Sequence, residues 1–471
     1  MSKSWLYAWA LASVAFGGAS LVVPLYVVEL GGSAATLGTL AAVAAAVGVP
    51  GALVFGRLAD RTGRRRVFVI AALALLVVSL AVLPALESIP AVVAANGVVW
   101  FAFAAATPVV TLLAVAGAPE NEWSTRIGEL NEYGGIGWAL GLLLGTVWTG
   151  AAARLGGTSG IGSLLLALAA LAGIGLLASV RWLPADAESA EVSPRRLQRA
   201  LRRANRFSVR AATFPFAVGR ADFRRLHPGR LAERFTPTLA LYFGAVTLFF
   251  TGFAAFFAPL PAYLTDVGVG SEGVFALYLV SSVASAVLFE RVGEVSGRRD
   301  PMSIQVLGLS ARGIAFPLVF VVGAALGVSA LGYLGMAVVF GLIGLTWAVI
   351  AVTAGTLVTR LAPLSVRGEA LGVYAALSAL AGAIGSVIGG RIAATSYELG
   401  FVAAGALVLV GAALVFLLGR RVRRNGTPKA NASRTTDPTG SPSESPSETS
   451  EPSESPTDDP RVRTSVDPDE R

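Results

Sequence analysis

Two ionisable side chains lie inside long apolar stretches of this 471-residue chain, where a charge is costly. Arg312 lies about ten residues into the apolar run 302–324, and Glu132 lies about one helical turn into the run 128–152. A charge placed in this way is a functional candidate by default. Arg312 could pair with an anionic solute or a carboxylate, or it could be a structural residue bonded to backbone carbonyls. Glu132 could carry a coupling proton or act as a partner in a gate.

A second group of residues combines an amide, an indole and a hydroxyl at helical spacing. Asn96, Trp100, Phe103 and Thr107 follow at intervals of four, three and four residues, which puts them on one helical face. Such a face predicts either a cavity wall or helix packing with one satisfied Asn. The predicted solute-binding residues are Asn96, Trp100, Phe103, Thr107, Tyr26, Phe253, Trp347 and Arg312. A wall this aromatic suits an amphiphilic or weakly polar solute.

Residues for common enzyme chemistry are scarce. The chain has no Cys, which excludes disulfides, thiolate nucleophiles and Cys-based metal sites. Its single His, His227, lies in a polar stretch, and no phosphate-binding loop accompanies the apolar runs. We therefore expect no catalytic residues, no metal and no cofactor, and we expect a protein that is not an enzyme.

Composition indicates a membrane protein with many spans. Hydrophobic residues make up 54% of the chain and charged residues only 14%, whereas soluble proteins carry about a quarter charged residues. The net charge of +8 comes largely from basic loops beside apolar runs, so it does not indicate nucleic-acid binding. The partner that composition predicts is the lipid bilayer.

Twelve apolar runs are long enough to cross about 30 Å of hydrocarbon as helices. The predicted spans, one to twelve, are 5–29, 36–56, 67–86, 90–116, 128–152, 160–181, 237–264, 273–290, 302–324, 328–358, 368–390 and 397–419. We therefore predict an all-α membrane protein. Most arginines between spans fall in alternate loops, and the other loops contain only Arg154 and Arg391. This asymmetry predicts a multi-pass protein of the cell (plasma) membrane with both termini in the cytoplasm.

The loop between spans two and three carries glycines and charges in a specific order. It reads Gly-Arg-Leu-Ala-Asp-Arg-Thr-Gly-Arg-Arg-Arg over residues 56–66. This order resembles the signature loop of the major facilitator superfamily, whose pattern is roughly Gly-x-Leu-Ala-Asp-Arg-x-Gly-Arg-Arg/Lys. Membrane orientation alone would explain the arginines, but not the spacing of Gly56, Asp60 and Gly63.

The two halves of the chain also repeat one another. Residues 24–31 recur as residues 261–268, with Pro, Tyr, an acid and Gly at the same spacing. The signature loop recurs in a degraded form at 289–299, where Glu290 replaces the first Gly and Glu294 replaces the Asp. These matches predict two pseudo-symmetric six-helix bundles, which is the architecture that the resemblance implies.

The domain prediction follows from this repeat. We expect an N-terminal bundle over 1–182, a cytoplasmic central loop over 183–236, a C-terminal bundle over 237–419 and a disordered cytoplasmic tail over 420–471. In the central loop, a basic run after Ser193 predicts an amphipathic helix, either on the inner membrane surface or in solvent as a linker. The tail is rich in Ser, Thr, Pro, Glu and Asp and cannot bury a core.

The resemblance implies a mechanism as well as a fold. It implies a cavity between the bundles that is lined mainly by spans one, four, seven and ten and opens alternately to either side. It assigns conformational switching to Gly56, Asp60, Arg61, Gly63, Arg64, Arg65, Arg126, Glu294, Arg298 and Arg367. Asp60 should lie near the start of span eleven. The arginines that end the signature loop should find partners among Glu120, Glu122 and Glu129.

We predict a secondary transporter that moves a small organic solute by alternating access and acts as a monomer. The intact signature loop and the aromatic cavity favour proton-coupled efflux, that is, an antiporter. An alternative is an uptake permease or facilitator for a small solute, which would be an anion if Arg312 faces the cavity. A transporter-fold sensor is a further alternative, although such proteins usually carry a soluble output domain.

Overall fold

A computed structural model describes residues 4–116, 118–119, 122–155, 160–184, 235–363 and 366–425. Two predictions fall outside these residues: the amphipathic helix of the central loop and the disordered tail beyond residue 425. The account of the fold therefore concerns the spans and the short loops that join them.

The described residues form helices and contain no strand. In order, the helices are Ser4–Glu29, Ala34–Thr62, Arg65–Val82, Ile89–Val115, Trp123–Arg154, Ile161–Trp182, Pro237–Phe257, Leu260–Asp266, Ser271–Arg298, Pro301–Leu326, Ala330–Leu361, Arg367–Thr395 and Tyr397–Asn425. Span three continues into a short 3-10 turn, Leu83–Ala85. With the seventh and eighth helices counted together as span seven, twelve spans are long and apolar enough to cross a membrane. The predicted all-α fold with twelve spans is confirmed.

Polar residues set where several spans begin. Ser33 caps span two and Ser329 caps span ten, each by accepting the backbone N–H three residues further on. Thr236 and Asp300 cap spans seven and nine, and a Pro follows each of them at the first helical position. These side chains satisfy backbone donors that have no partner within the helix.

Span seven differs from the single helix predicted over 237–264. Its first helix ends at Phe257 and a second helix runs Leu260–Asp266. Pro259 and Pro261 lie at the break, where each lacks the N–H that a continuous helix would need.

Spans two, eight and twelve extend past their predicted apolar ends. They continue to Thr62, Arg298 and Asn425, so residues 420–425 are helical and do not begin the predicted disordered tail. The apolar pattern predicts which residues lie in the hydrocarbon layer of the membrane, but a helix need not end at the surface of that layer. Long arginine side chains can continue into the headgroups and water.

Spans one and five pack closely, and spans seven and eleven repeat that packing. A methyl group on Gly141 of span five would overlap the carbonyl oxygen of Val14 in span one. A methyl group on Gly385 of span eleven would likewise overlap the carbonyl oxygen of Thr251 in span seven. Small residues let helix backbones approach closely in lipid, where close packing drives association. The repeat seen in the sequence is therefore also a repeat of contacts.

The end of the bundle that holds Glu29 is called the Glu29 end below, and the opposite end is called the Arg64 end. At the Glu29 end, two equivalent turns leave spans one and seven. Gly31 has a φ of +84° and Gly268 a φ of +93°, which a residue without Cβ adopts freely. In both turns the N–H of the next residue donates to the carbonyl five residues back, at 2.8 and 2.9 Å.

Candidate functional site

A cavity of about 210 Å³ lies between the two halves of the chain. Spans one, two, four and five form one side of its wall, and spans seven to eleven form the other. Spans one, four, seven and ten all contribute, as the resemblance implies, but so do spans two, five, eight, nine and eleven. Among the described residues the wall is mainly apolar and aromatic, with several hydroxyls, one amide and one guanidinium.

The guanidinium is that of Arg312 on span nine, which is only 1% exposed. Its Nε donates to the hydroxyl of Thr346 at 3.2 Å, and its Nη2 donates to the carbonyl oxygen of Ile343 at 2.6 Å. Its Nη1 is buried without a hydrogen-bond partner. Two bonds to span ten therefore orient the side chain and leave one nitrogen unused.

Aromatic rings surround the same guanidinium. The Cζ atom of Arg312 lies 4.6 Å from the ring centre of Phe253, 5.5 Å from Trp347, 5.8 Å from Phe257 and 5.9 Å from Phe316. Each such contact contributes about 0.5–2 kcal/mol. Together they offset the roughly 2.5–3.5 kcal/mol that an Arg costs at the centre of a membrane helix. These ring contacts do not neutralise the positive charge of Arg312, and no carboxylate of the described residues pairs with it.

Half of the predicted solute-binding residues lie in the cavity wall: Asn96, Trp100, Trp347 and Arg312. Asn96 lies on span four, in the first half of the chain, whereas Arg312 lies in the second half. It is 3% exposed, and no described residue hydrogen-bonds to its amide. The cavity thus has a buried amide on one side and a buried cation on the other.

The other predicted residues lie outside the wall. Phe103 stacks on Phe16 with ring centres 3.7 Å apart, and Thr107 donates to the carbonyl of Phe103 at 2.8 Å. Tyr26 bonds to backbone carbonyls near the Glu29 end, and Phe253 is a fully buried ring against Arg312. The helical face that starts at Asn96 is longer than the cavity, so its later residues serve packing.

Spans five and eight supply wall residues that the sequence analysis did not single out. These are Trp138 and Leu142 on span five, and Tyr278, Ser281 and Ser282 on span eight. The adjacent serines inside an apolar span were a usable signal. A Trp or Tyr in an apolar span was not a usable signal, because aromatic residues occur in packing contacts as well as in cavity walls.

The two halves meet closely at the Glu29 end. Span two packs against span eleven, where a methyl group on Gly38 would overlap the backbone and one on Gly390 would lie 2.7 Å from the carbonyl oxygen of Ala34. Span five packs against span eight, where a methyl group on Gly145 would overlap the ring of Phe275. Backbone-to-backbone and backbone-to-ring contacts therefore join the two halves at the Glu29 end.

Several predicted switching residues make contacts within their own half, near the Arg64 end. Gly63 ends span two with a φ of +68°, and its N–H donates to the carbonyl four residues back. Arg126 pairs with Glu122, one turn away on span five, with an N–O distance of 2.9 Å. The Nε of Arg367 donates to the carbonyl of Ala362 at 3.4 Å.

The signature loop itself is only partly described. Arg66 donates to the carbonyl of Val180 in span six, Arg61 and Arg64 are exposed, and the Nε of Arg65 is buried without a partner. Among the predicted switching residues, Gly56, Asp60, Glu294 and Arg298 lie outside the set whose side-chain environment the structure describes. The predicted contact of Asp60 with span eleven stays a prediction.

Glu132 lies on the exposed face of span five. Ile136 and Leu140, one and two turns further on, are 48% and 47% exposed and share this face. Trp138 and Leu142 line the cavity from the opposite face of the same helix. The structure therefore does not bring Glu132 to the cavity.

Comparison with known proteins gives a family and a set of similar folds. The family model of the Major Facilitator Superfamily matches residues 7–344. No curated protein matches the chain. The structure of the nucleoside transporter NupG superposes with a TM-score of 0.62 at 14% identity, over 91% of this chain and 100% of that one.

Two structures of POT transporters are similar to the same degree. A POT family transporter in complex with a thioalcohol-conjugated peptide gives a TM-score of 0.64 at 11% identity, over 89% of this chain and 95% of that one. A variant of the peptide transporter POT in complex with sulfate gives 0.64 at 16% identity, over 89% and 94%. At these identities the likeness shows the fold and not the solute.

Proposed function

Because this chain belongs to the Major Facilitator Superfamily of membrane transporters, we propose that it moves a small organic solute by alternating access. The observation that carries the proposal is the cavity between the halves, whose wall combines residues of both. A solute held there contacts both halves, so its binding is linked to how they are arranged. We propose that 1–182 and 237–419 are the two moving units.

We further propose that the structure corresponds to a state that is closed at the Glu29 end and open toward the Arg64 end. The contacts of Gly38, Gly390 and Gly145 support the closure. At the Arg64 end, methyl groups on Gly128 of span five and Gly372 of span eleven would meet no atom within 4 Å. If the basic loops lie in the cytoplasm, as they do in most membrane proteins, this state faces inward in a plasma membrane.

The switching residues keep their proposed roles at the Arg64 end. In the outward-facing state that must follow, the halves would close there and separate at the Glu29 end. Asp60 would then approach the start of span eleven, and the exposed Arg61 and Arg64 would find partners across the interface. Their exposure in the present state supports this role, because side chains that pair only in the other state are expected to be solvated here.

Proton-coupled efflux by a monomer remains the proposed direction and coupling. The aromatic wall, which includes Trp100, Trp138 and Trp347, supports an amphiphilic solute of the kind that exporters carry. Glu132 is proposed either as the proton carrier or as a partner in the gate at the Arg64 end, and its exposed position on span five favours the gate. Uptake or facilitated passage of an anion is the second candidate, and the position of Arg312 in the wall favours it.

Transport into liposomes tests the proposal. Purified protein would be reconstituted with an internal pH dye and challenged with cationic, neutral and anionic solutes under opposite proton gradients. Solute flux that an opposing proton gradient drives, with a matching pH change, is the result expected for an antiporter. Flux without a pH change would identify a facilitator or another coupling ion. Absence of flux for every solute class, with liposomes of a known transporter as the positive control, would overturn the transport proposal and favour a sensor.

A further inference from the structure

We propose that the cavity takes a small organic monoanion, with its carboxylate on Arg312, its apolar body between the aromatic walls and a hydrogen-bonding group on Asn96. This inference rests on the proposed function, because it names the class of solute that the transport site would bind. Three features of the cavity wall, which come from different parts of the chain, support the inference.

The first feature is the unused donor of Arg312. The bonds to Thr346 and Ile343 fix the plane of the guanidinium and occupy Nε and Nη2. Nη1 remains buried and unbonded, in a residue that lines the cavity. A guanidinium binds a carboxylate through its N–H groups more strongly than it binds any neutral acceptor. An anionic group on the solute would supply both the missing acceptor and the missing charge.

The second feature is the position of the rings. Phe253 and Phe316 are fully buried and are not part of the cavity wall, whereas Phe257 and Trp347 line the cavity. Two of the four rings beside the cation therefore lie where a ligand in the cavity can reach them. An entering carboxylate would replace these weak cation–π contacts with charge-assisted hydrogen bonds, and the displaced rings would pack on the apolar body of the solute.

The third feature is the amide of Asn96, on the opposite side of the cavity. An amide both donates and accepts hydrogen bonds, but it carries no charge to balance a second carboxylate. The hydroxyl of Tyr278, in the half that carries Arg312, has the same limitation, and it too lacks a hydrogen bond to the described residues. Because the amide and the hydroxyls of the wall are all neutral, and Arg312 is its cation, we expect a solute with one negative charge and a neutral polar group such as a hydroxyl.

The volume of the cavity guides the choice of a probe. At about 210 Å³ it is smaller than the roughly 300–1,000 Å³ pockets that hold drug-sized ligands. A single aromatic ring with short substituents is the scale that fits. We therefore take 4-hydroxybenzoate as the probe, with 4-hydroxybenzamide as its neutral analogue and 4-hydroxybenzylamine as its cationic one.

Calorimetric titration of the full-length protein in lipid nanodiscs with the three probes tests the inference. We expect the carboxylate to bind at least about tenfold more tightly than the amide, because a charge-assisted bond is worth about 1.4 kcal/mol or more. The amine should not bind measurably. This comparison uses the unmodified protein, so it does not depend on the folding of any variant.

Variants then assign the binding to the proposed residues. Arg312→Gln should abolish the preference for the carboxylate, and Arg312→Lys should restore part of it, because the charge returns without the planar fork. Asn96→Ala should weaken 4-hydroxybenzoate but leave benzoate unchanged. Arg391→Gln removes an exposed arginine at the Glu29 end and is the matched control.

The outcomes separate this inference from the transport proposal. Binding of all three probes with similar affinity, or a carboxylate preference that survives in Arg312→Gln, would overturn the anion site. Flux of neutral or cationic solutes alone would overturn it as well while leaving the transport proposal intact. Arg312-dependent binding of 4-hydroxybenzoate without flux in liposomes would support the anion site and contradict transport.

Discussion

Tyr26 and Tyr263 make the same hydrogen bond in the two halves of the protein. The hydroxyl of Tyr26, on span one, donates to the carbonyl of Leu86 at 3.0 Å, just past span three. The hydroxyl of Tyr263, on span seven, donates to the carbonyl of Phe320 at 2.9 Å, in span nine. Each bond ties the Glu29 end of the first span of a half to its third span or to the residue just past that span. A relationship found first as a repeat of sequence is therefore repeated in three dimensions.

These bonds predict a small and equal effect of removing either hydroxyl. Tyr26→Phe and Tyr263→Phe should each lower the free energy of unfolding by about 1 kcal/mol, because each carbonyl loses one donor while the ring keeps its packing. Thermal unfolding in detergent would measure the change. Tyr7→Phe, at a residue that is 56% exposed, is the control and should have no effect. A loss confined to one half would contradict the equivalence.

The contact of Gly38 with span eleven predicts that a side chain there opens the Glu29 end. Gly38→Leu should prevent the backbones from meeting, shift the protein away from the closed state and reduce transport by more than tenfold. Gly162→Leu is the matched control, since a side chain at Gly162 would meet no atom within 4 Å. Single cysteines near the Glu29 end, introduced into this naturally Cys-free chain, would report the opening by their labelling rate. Unchanged labelling in Gly38→Leu would argue against the proposed closure.

A buried pair between spans seven and nine predicts non-additive mutations. Tyr242 and Gln305 are both fully buried, and the Gln305 amide donates to the Tyr242 hydroxyl at 2.9 Å. Tyr242→Phe or Gln305→Leu alone should cost about 1–3 kcal/mol, because each leaves a buried polar group unsatisfied. The double variant should cost less than the sum of the two. Additive losses in chemical or thermal unfolding would show that the pair contributes no coupling.

The signature loop predicts a variant that binds solute but does not transport it. Asp60→Asn should reduce flux at least tenfold, because the neutral side chain would no longer hold the Arg64 end closed in the outward-facing state. Solute affinity in nanodiscs should stay within about twofold, since the loop is remote from the cavity wall. Glu398→Gln is the control, because it neutralises an exposed carboxylate at the Glu29 end, outside the switching residues. Normal flux in Asp60→Asn would remove the loop from the mechanism.

The fold could be predicted because its signals are local. Apolar runs of sufficient length, the order of charges over residues 56–66 and the repeat of 24–31 at 261–268 each lie within one short stretch of chain. Arg312 was also predictable, because a charge inside an apolar run stands out from its neighbours. The break of span seven at Pro259 was signalled by its prolines but was masked by the apolar residues on both sides.

The depth and outline of the cavity could not be predicted in the same way. Phe103 continues the face of Asn96 and Trp100, yet it stacks on Phe16 instead of facing the cavity. Trp138 lines the cavity, although its sequence context is that of a packing residue. Which aromatic residues meet the solute depends on where the two halves separate, and no spacing within one helix records that position.

In the proposed transport cycle, the unneutralised guanidinium of Arg312 would also link the movement of the carrier to the electrical potential across the membrane. An empty carrier reorients with a bare positive charge at its centre, whereas a carrier loaded with a monoanion reorients with that charge balanced. One elementary charge crossing 100 mV changes the energy by about 2.3 kcal/mol, and the guanidinium experiences some fraction of that field. We therefore expect the membrane potential to change the rate at which the empty carrier reorients and to have little effect on the reorientation of the loaded carrier. Transient charge movement in solute-free proteoliposomes should shrink on saturation with 4-hydroxybenzoate and vanish in Arg312→Gln.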